Sequence, residues 1–104
     1  MPKYVLAYHG GGMPETPEQG AEVMAAWGAW FESLGASVVD GGAPTGAART
    51  VAASGSVSDG GGANPLTGYS LITADVLDGA VKLAKGCPIL KSGGSVEVAE
   101  TIDM

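Results

Sequence analysis

The chain has 104 residues and a mass of 10.2 kDa, which predicts a single domain spanning residues 1–104. Hydrophobic residues make up 45% of the chain and charged residues 15%, which excludes a disordered chain. The net charge is −6 and the 5 lysines and arginines form no cluster, so nucleic acid is not expected as a partner. No apolar run approaches the ~20 residues that span a bilayer. We therefore expect a cytoplasmic protein that does not bind membranes.

The first half of the chain contains a clear strand and a clear helix. Residues 3–9 alternate between two largely apolar faces, which predicts a central strand covered on both sides. A helix is predicted to follow Thr16, because Thr16 can cap it, Pro17 fits its first turn and Gln19 completes a capping box. Gly35 stands where a left-handed residue commonly ends a helix.

The predicted helix carries an apolar stripe with a glycine inside it. Gly28 costs about 1 kcal/mol relative to alanine, so we expect it to pack closely against a neighbouring element. The apolar residues of the stripe are Val23, Trp27, Phe31 and Leu34, with Met24 and Trp30 beside them.

Turn residues divide the second half of the chain into shorter elements. In chain order, we predict a strand at 36–40, a hairpin formed by 49–53 and 56–58, a glycine-rich loop at 59–65, a strand at 67–73, a helix at 75–85 and a strand at 95–100. Asp75 is the expected cap of the second helix. In the last strand, Val96 and Val98 are expected to point inward.

This order of elements predicts an α+β fold of the ferredoxin-like, split βαβ type, with one antiparallel sheet and two helices on one face. A doubly wound parallel sheet is the competing interpretation, but the chain has too few helices for it and lacks a fingerprint loop. Because two helices leave the other sheet face uncovered, we expect a symmetric homodimer with its sheets packed face to face. A cavity between sheet, helices and partner is the expected ligand site.

Several short motifs occur in an order that resembles the YCII-related proteins of the DGPF type. The resemblance covers residues 3 to about 100. The motifs are Lys3-Tyr4-Val5-Leu6, Ala26-Trp27, Ala48-Arg49-Thr50-Val51, Asp59-Gly60, Gly68-Tyr69-Ser70-Leu71-Ile72 and Gly94-Ser95-Val96-Glu97-Val98.

The resemblance implies a dimeric α+β barrel from a mostly bacterial family, some of whose members use a His–Asp pair. Relatives of the DGPF type often accompany extracytoplasmic-function sigma factors. The signature Asp-Gly-Pro-Phe reads Asp59-Gly60-Gly61-Gly62 in this chain, and the first helix has no histidine where the enzyme-like relatives place theirs. The resemblance therefore implies the fold more directly than an activity.

Three polar residues are candidates for chemistry. His9 is the only histidine, and it is either a general acid or base or a strand-end side chain bonded at a loop. Asp59 either orients His9 or bonds its own turn. Arg49, the only arginine, either clamps a substrate carboxylate or pairs with Asp40 or Asp59.

Aromatic residues are the candidates for lining a pocket. Tyr69, Trp27 and Trp30 are predicted to bind a ligand, although aromatic residues at helical spacing are more often core. Cys87 has no activating base nearby in sequence, so an inert thiol is expected. One cysteine and one histidine are too few for a disulfide or a zinc site, and the glycine-rich segments match neither the dinucleotide fingerprint nor the P-loop. The sequence predicts no metal and no cofactor.

Three functions are compatible with these residues. The first is a homodimeric protein that binds a small organic, acidic molecule in a pocket lined by aromatic residues and Arg49. The second is a small cofactor-free enzyme, of isomerase, lyase or dehydrochlorinase type, that acts on an acidic organic compound. In it His9 is the acid or base, Arg49 anchors the anion and Asp59 orients His9. The third is an interaction module whose dimer surface is its whole purpose.

Overall fold

A computed structural model of the chain describes residues 1–12 and 15–103. The regular elements alternate in the expected order. They are β1 (Lys3–His9), α1 (Pro17–Leu34), β2 (Val38–Pro44), β3 (Arg49–Val51), β4 (Val57–Asp59), β5 (Leu66–Thr73), α2 (Leu77–Ala84) and β6 (Ser95–Glu100). Short 3₁₀ turns at Gly35–Ser37 and Pro88–Ser92 lead into β2 and towards β6.

Four strands form one antiparallel sheet in the order β2-β5-β1-β6. β1 is central, with Leu6 opposite Ser70 of β5 on one side and Val98 of β6 on the other. β1 and β2 are separated by β5, which is the feature that defines a split βαβ unit. The predicted α+β class is confirmed, and the arrangement is compatible with a ferredoxin-like fold. β3 and β4 form a separate two-stranded sheet.

The core lies between one face of this sheet and the two helices. Tyr4, Leu6 and Ile72 are completely buried on that face. Each such side chain contributes roughly 1.5–3 kcal/mol when it is removed from water. The buried hydrophobic residues that pack on them are Tyr8, Trp30, Leu34, Ala74, Ala80, Ala84, Cys87 and Ile89.

The start of α1 confirms the predicted cap at Thr16, whereas the capping box and the glycine at its end differ in detail from their predictions. The hydroxyl of Thr16 accepts a hydrogen bond of 3.1 Å from the backbone N–H of Gln19. The amide oxygen of Gln19 accepts from the backbone N–H of Glu15 at 2.9 Å, one residue earlier than in an ordinary capping box. Gly35 follows the helix with a φ of 55°.

β2 is longer and less regular than the predicted strand. Residues 35–37 form a 3₁₀ turn, so the strand begins at Val38 rather than at residue 36. Its sequence continues with Asp40-Gly41-Gly42, which is typical of a turn. The carboxylate of Asp40 accepts from the backbone N–H of Gly42 at 2.8 Å, and this local bond produces a bulge instead of a turn. The strand therefore continues to Pro44.

The start of α2 differs from its prediction. Val76 occupies the capping position and the helix begins at Leu77, without a side-chain hydrogen bond to its free N–H groups. Asp75 stands one residue too early to cap. The sequence predicts that Leu77, Ala80, Val81 and Ala84 form the inner stripe of this helix. Ala80 and Ala84 are buried, whereas Leu77 and Val81 are 46% and 37% exposed, so half of this prediction is wrong.

The chain exposes more surface than a folded monomer of its size. Its accessible area is 7006 Å², whereas area scaling for 10.2 kDa gives roughly 5,300 Å². Its radius of gyration is 14.9 Å, against roughly 13 Å for a compact domain of this length. The hairpin formed by β3 and β4 contributes to this excess, with Val51 and Val57 68% and 60% exposed. Within the described residues, no helix has the length and hydropathy needed to cross a membrane.

Candidate ligand cavity

An open cavity of about 450 Å³ lies between α1 and the β2 side of the sheet. Residues of α1 form one wall of the cavity, and β2 and the first residues of β5 form the other. The α1 residues are Val23, Met24, Trp27, Gly28 and Phe31; the other lining residues are Tyr8, Gly41, Gly42, Ala43, Pro44, Thr67, Gly68, Tyr69 and Ile89. Tyr8 and Gly68 belong to the helix-covered face, so the cavity is not located on the uncovered face of the sheet.

The aromatic residues at the cavity contact one another edge to face or at a tilt. The ring of Trp27 lies 5.0 Å from that of Tyr8, with the planes at 79°. Phe31 lies 5.9 Å from Trp27 at 37°, and Trp30 lies 5.7 Å from Trp27 at 80°. Such pairs contribute roughly 0.5–1.5 kcal/mol beyond the burial of their area. They fix the orientation of Trp27 between the core and the cavity.

Two glycines shape the cavity in opposite ways. At Gly42, where φ is 71°, a Cβ atom would overlap the backbone carbonyl of Tyr69, so only glycine allows β2 to approach β5 this closely. At Gly28 a Cβ atom would meet no atom of another described element within 4 Å. The expected close packing of Gly28 against a neighbour is therefore wrong. Gly28 instead leaves open space on the α1 wall.

Tyr8 connects the cavity to the core through a chain of hydrogen bonds. Its hydroxyl donates to Ser70 Oγ at 2.7 Å, and Ser70 Oγ donates to the carbonyl of Gly41 at 2.7 Å. Ser70 is completely buried, and both of its hydrogen-bonding roles are used. Burial raises the pKa of Tyr8 to about 12. Tyr8 therefore stays neutral at physiological pH.

No charged side chain lines the cavity in the part of the chain that the structure describes. Arg49, which was expected to hold an acidic ligand, lies instead on the hairpin. Its Nε atom is 3.8 Å from the carboxylate of Asp59, and the two side chains are 74% and 94% exposed. The interpretation of Arg49 as a structural pair with Asp59 therefore agrees with the geometry.

His9 lies at the end of β1, outside the cavity lining, with a side chain that is 12% exposed. Its Nδ1 atom is 3.0 Å from the carbonyl oxygen of Asn64 and 3.2 Å from that of Pro65. Its Nε2 atom is 3.2 Å from the carboxylate of Glu97. The carboxylate beside His9 is thus Glu97, whereas Asp59 contacts Arg49. Alternation along the last strand predicts that Glu97 points outward. It does not predict the register of β6 against β1, which places Glu97 beside His9.

The three predicted aromatic residues have different positions. Trp27 and Tyr69 line the cavity. Trp30 is buried in the core, where its Nε1–H donates to the carbonyl of Leu83 at 3.2 Å. Sequence reasoning missed Tyr8 and Phe31 as lining residues, although both stood in the predicted apolar patterns.

Cys87 is buried, and burial raises the pKa of its thiol to about 11, which agrees with an inert role. Residues 1–12 and 15–103 contain no group of three or more His, Cys, Asp or Glu side chains placed to hold a metal ion.

Fold and cavity together define the class as an α+β protein with an apolar, aromatic-lined cavity beside its first helix. Comparison with protein-family models, curated proteins and solved structures found no significant match for the chain.

Proposed function

We propose that this protein binds a small, uncharged, apolar molecule in the cavity beside α1. The observation that carries the proposal is the open space at Gly28, together with the aromatic wall that surrounds it. A lining that is apolar and aromatic with few polar groups is typical of small-molecule sites. The proposal replaces the expected acidic ligand, since the described lining offers no cation to bind a carboxylate.

Gly28 is costly to the helix in which it stands. A glycine inside a helix destabilises it by about 1 kcal/mol relative to alanine. The usual reason for accepting that cost is close contact with another element, and no atom of another described element lies within 4 Å of where its Cβ atom would be. Close packing therefore does not explain the glycine, and the open space that it leaves supports a bound molecule in the cavity.

The test is to fill this space. Gly28→Leu places a branched side chain in the cavity, whereas Ala29→Leu, at the next and exposed position of α1, leaves the lining unchanged. Binding of naphthalene is measured by equilibrium dialysis and by the indole N–H signals of Trp27 and Trp30. We expect wild type and Ala29→Leu to bind with a shift of the Trp27 signal, and Gly28→Leu to bind at least about ten-fold more weakly. Equal affinity in all three proteins would contradict the proposal.

We also propose that the protein is a homodimer of the YCII-related, DGPF-type family that the sequence resembles. The support is the surface of 7006 Å², which exceeds the monomer expectation by an amount similar to what an obligate dimer buries per subunit. The half-buried Val5, Ala7 and Leu71 share the uncovered face of the sheet. Sedimentation equilibrium should give twice 10.2 kDa at micromolar concentration, and Leu71→Lys should shift it to the monomer.

A second candidate is a cofactor-free acid–base enzyme that uses His9. The contact between His9 and Glu97 at 3.2 Å favours it, because a carboxylate commonly orients a catalytic imidazole. In this proposal Glu97 takes the role first expected of Asp59. Proton NMR of the His9 ring provides the test. A response of its signals to added small carboxylic acids, lost in Glu97→Gln, would support the enzyme, whereas unchanged signals would contradict it.

A further inference from the structure

We infer that the molecule bound beside α1 carries an uncharged hydrogen-bond acceptor, such as a carbonyl group, which takes the indole N–H of Trp27. This inference rests on the proposed function, because it specifies the chemistry of the same cavity. It divides the possible ligands into two classes: aromatic hydrocarbons, and aromatic molecules with a carbonyl or similar acceptor.

Three other side-chain donors around the cavity already have protein acceptors. The Tyr8 hydroxyl donates to Ser70, the Trp30 indole N–H donates to Leu83 O, and the Thr67 hydroxyl donates to Gly10 O at 3.2 Å. None of these three groups has a hydrogen left for a ligand. Recognition of an acceptor would therefore depend on a donor that makes no hydrogen bond to another described residue.

Trp27 supplies such a donor. Its indole N–H makes no hydrogen bond to any described residue, and the only buried side-chain polar atom without a partner among these residues is Tyr4 Oη. The half-buried Trp27 ring lines the cavity, and its indole N–H is not among the buried side-chain polar atoms without a partner. The Tyr69 hydroxyl, in a residue that is 38% exposed, is less selective because a hydroxyl can either donate or accept.

The Trp27 N–H, which has no acceptor among the described residues, would make binding selective through desolvation. A hydrocarbon in the cavity would displace water from this N–H without replacing the lost hydrogen bond, whereas a carbonyl oxygen would replace it. The flat aromatic part of either molecule would contact Phe31 and the face of the neighbouring rings equally. Discrimination between the two classes therefore comes from Trp27.

Two probes of nearly identical shape separate these effects, namely 2-acetylnaphthalene and 2-ethylnaphthalene. Their dissociation constants are measured by equilibrium dialysis for wild type and for Trp27→Phe, which keeps an aromatic ring and removes the N–H. The ratio of the dissociation constant of the ethyl probe to that of the acetyl probe is expected to be roughly five-fold larger in wild type than in Trp27→Phe. In wild type, the acetyl probe alone should move the Trp27 N–H proton downfield, with the Trp30 signal as the internal reference.

The outcomes distinguish this inference from the function on which it rests. If both probes bind wild type but their affinity ratio is the same in Trp27→Phe, the role of the N–H is overturned while the apolar cavity remains. If neither probe binds wild type, the cavity proposal and this inference both fail. The NMR comparison in wild type decides the question even if Trp27→Phe does not fold.

Discussion

The hydroxyl of Tyr8 donates a 2.7 Å hydrogen bond to Ser70, and this bond joins the central strand to its neighbour inside a largely apolar core. Ser70 donates in turn to Gly41 O, so one chain of hydrogen bonds crosses β1, β5 and β2. Buried polar groups are costly unless they form hydrogen bonds, and the hydroxyls of Tyr8 and Ser70 both do. The neutral Tyr8 side chain therefore adds a hydrogen-bonded link between three strands at the cavity wall.

Alkaline pH is expected to destabilise the fold through Tyr8. Its pKa is about 12 in the folded chain against 10.0 as its ordinary value, so the unfolded chain loses the proton first. Stability is unaffected by this group below pH 10 and falls as the pH rises from about 10 to about 12. Urea unfolding at pH 8 to 12 measures the slope.

Tyr8→Phe is the matched variant for this measurement, because Cys87 and Tyr4 also have raised pKa values and contribute in both proteins. The variant should lose about 1 kcal/mol of unfolding free energy at pH 8, since the bond to Ser70 is absent. It should also show a shallower decline above pH 10. A decline as steep as that of wild type would contradict the assignment to Tyr8.

Gly28 and Gly42 should respond to alanine in opposite directions. Gly28→Ala is expected to raise the unfolding free energy by roughly 0.5–1 kcal/mol, because the helix gains propensity and the new Cβ atom meets no neighbour. Gly42→Ala is expected to lower it by roughly 1–3 kcal/mol, because φ there is 71° and the Cβ atom would overlap the Tyr69 carbonyl. Chemical denaturation measures both changes, and destabilisation by Gly28→Ala would mean that the space beside α1 is filled.

Cys87 should react slowly with thiol reagents in the folded protein. Its side chain is buried, and its pKa of about 11 leaves roughly 100-fold less thiolate at pH 8 than an ordinary value of 9.0 does. Labelling with a chromogenic disulfide should therefore be at least about 100-fold slower in buffer than in 8 M urea. Equal rates in the two solutions would place the thiol at the surface.

Much of the fold could be predicted because its elements have local signals. Thr16, Pro17 and Gln19 define the start of α1 through interactions within one turn, and alternation in β1 separates the buried Tyr4 from the half-buried Val5. β2 was harder, because Asp40 and Gly42 make the same local bond in a turn and in a bulge. Only pairing with β5, which is distant in sequence, decides between them.

The site was less predictable, because it depends on distances between elements. Trp27 was recognised as a pocket residue, but Trp30, three positions later on the same helix, belongs to the core. Periodicity places both on the inner half of α1 and does not say where the sheet ends beneath them. Gly28 was assigned to close packing for the same reason. The role of Gly28 depends on the open space beside it, and a local sequence pattern does not show whether another element fills that space.

Arg49→Ala should leave ligand binding unchanged, although Arg49 is the only arginine in an acidic chain. Its partner Asp59 is 3.8 Å away at the surface, and such exposed pairs contribute under about 1 kcal/mol to stability. The affinity for 2-acetylnaphthalene and the unfolding free energy should therefore both stay close to wild type, while Gly28→Leu should bind at least about ten-fold more weakly in the same assay. Added benzoate should compete no better against wild type than against Arg49→Ala. A carboxylate that binds wild type but binds Arg49→Ala more weakly would contradict the proposal of an uncharged ligand and support an acidic one. Such a result would mean that the hairpin of this subunit, or of a second one, contacts the bound molecule.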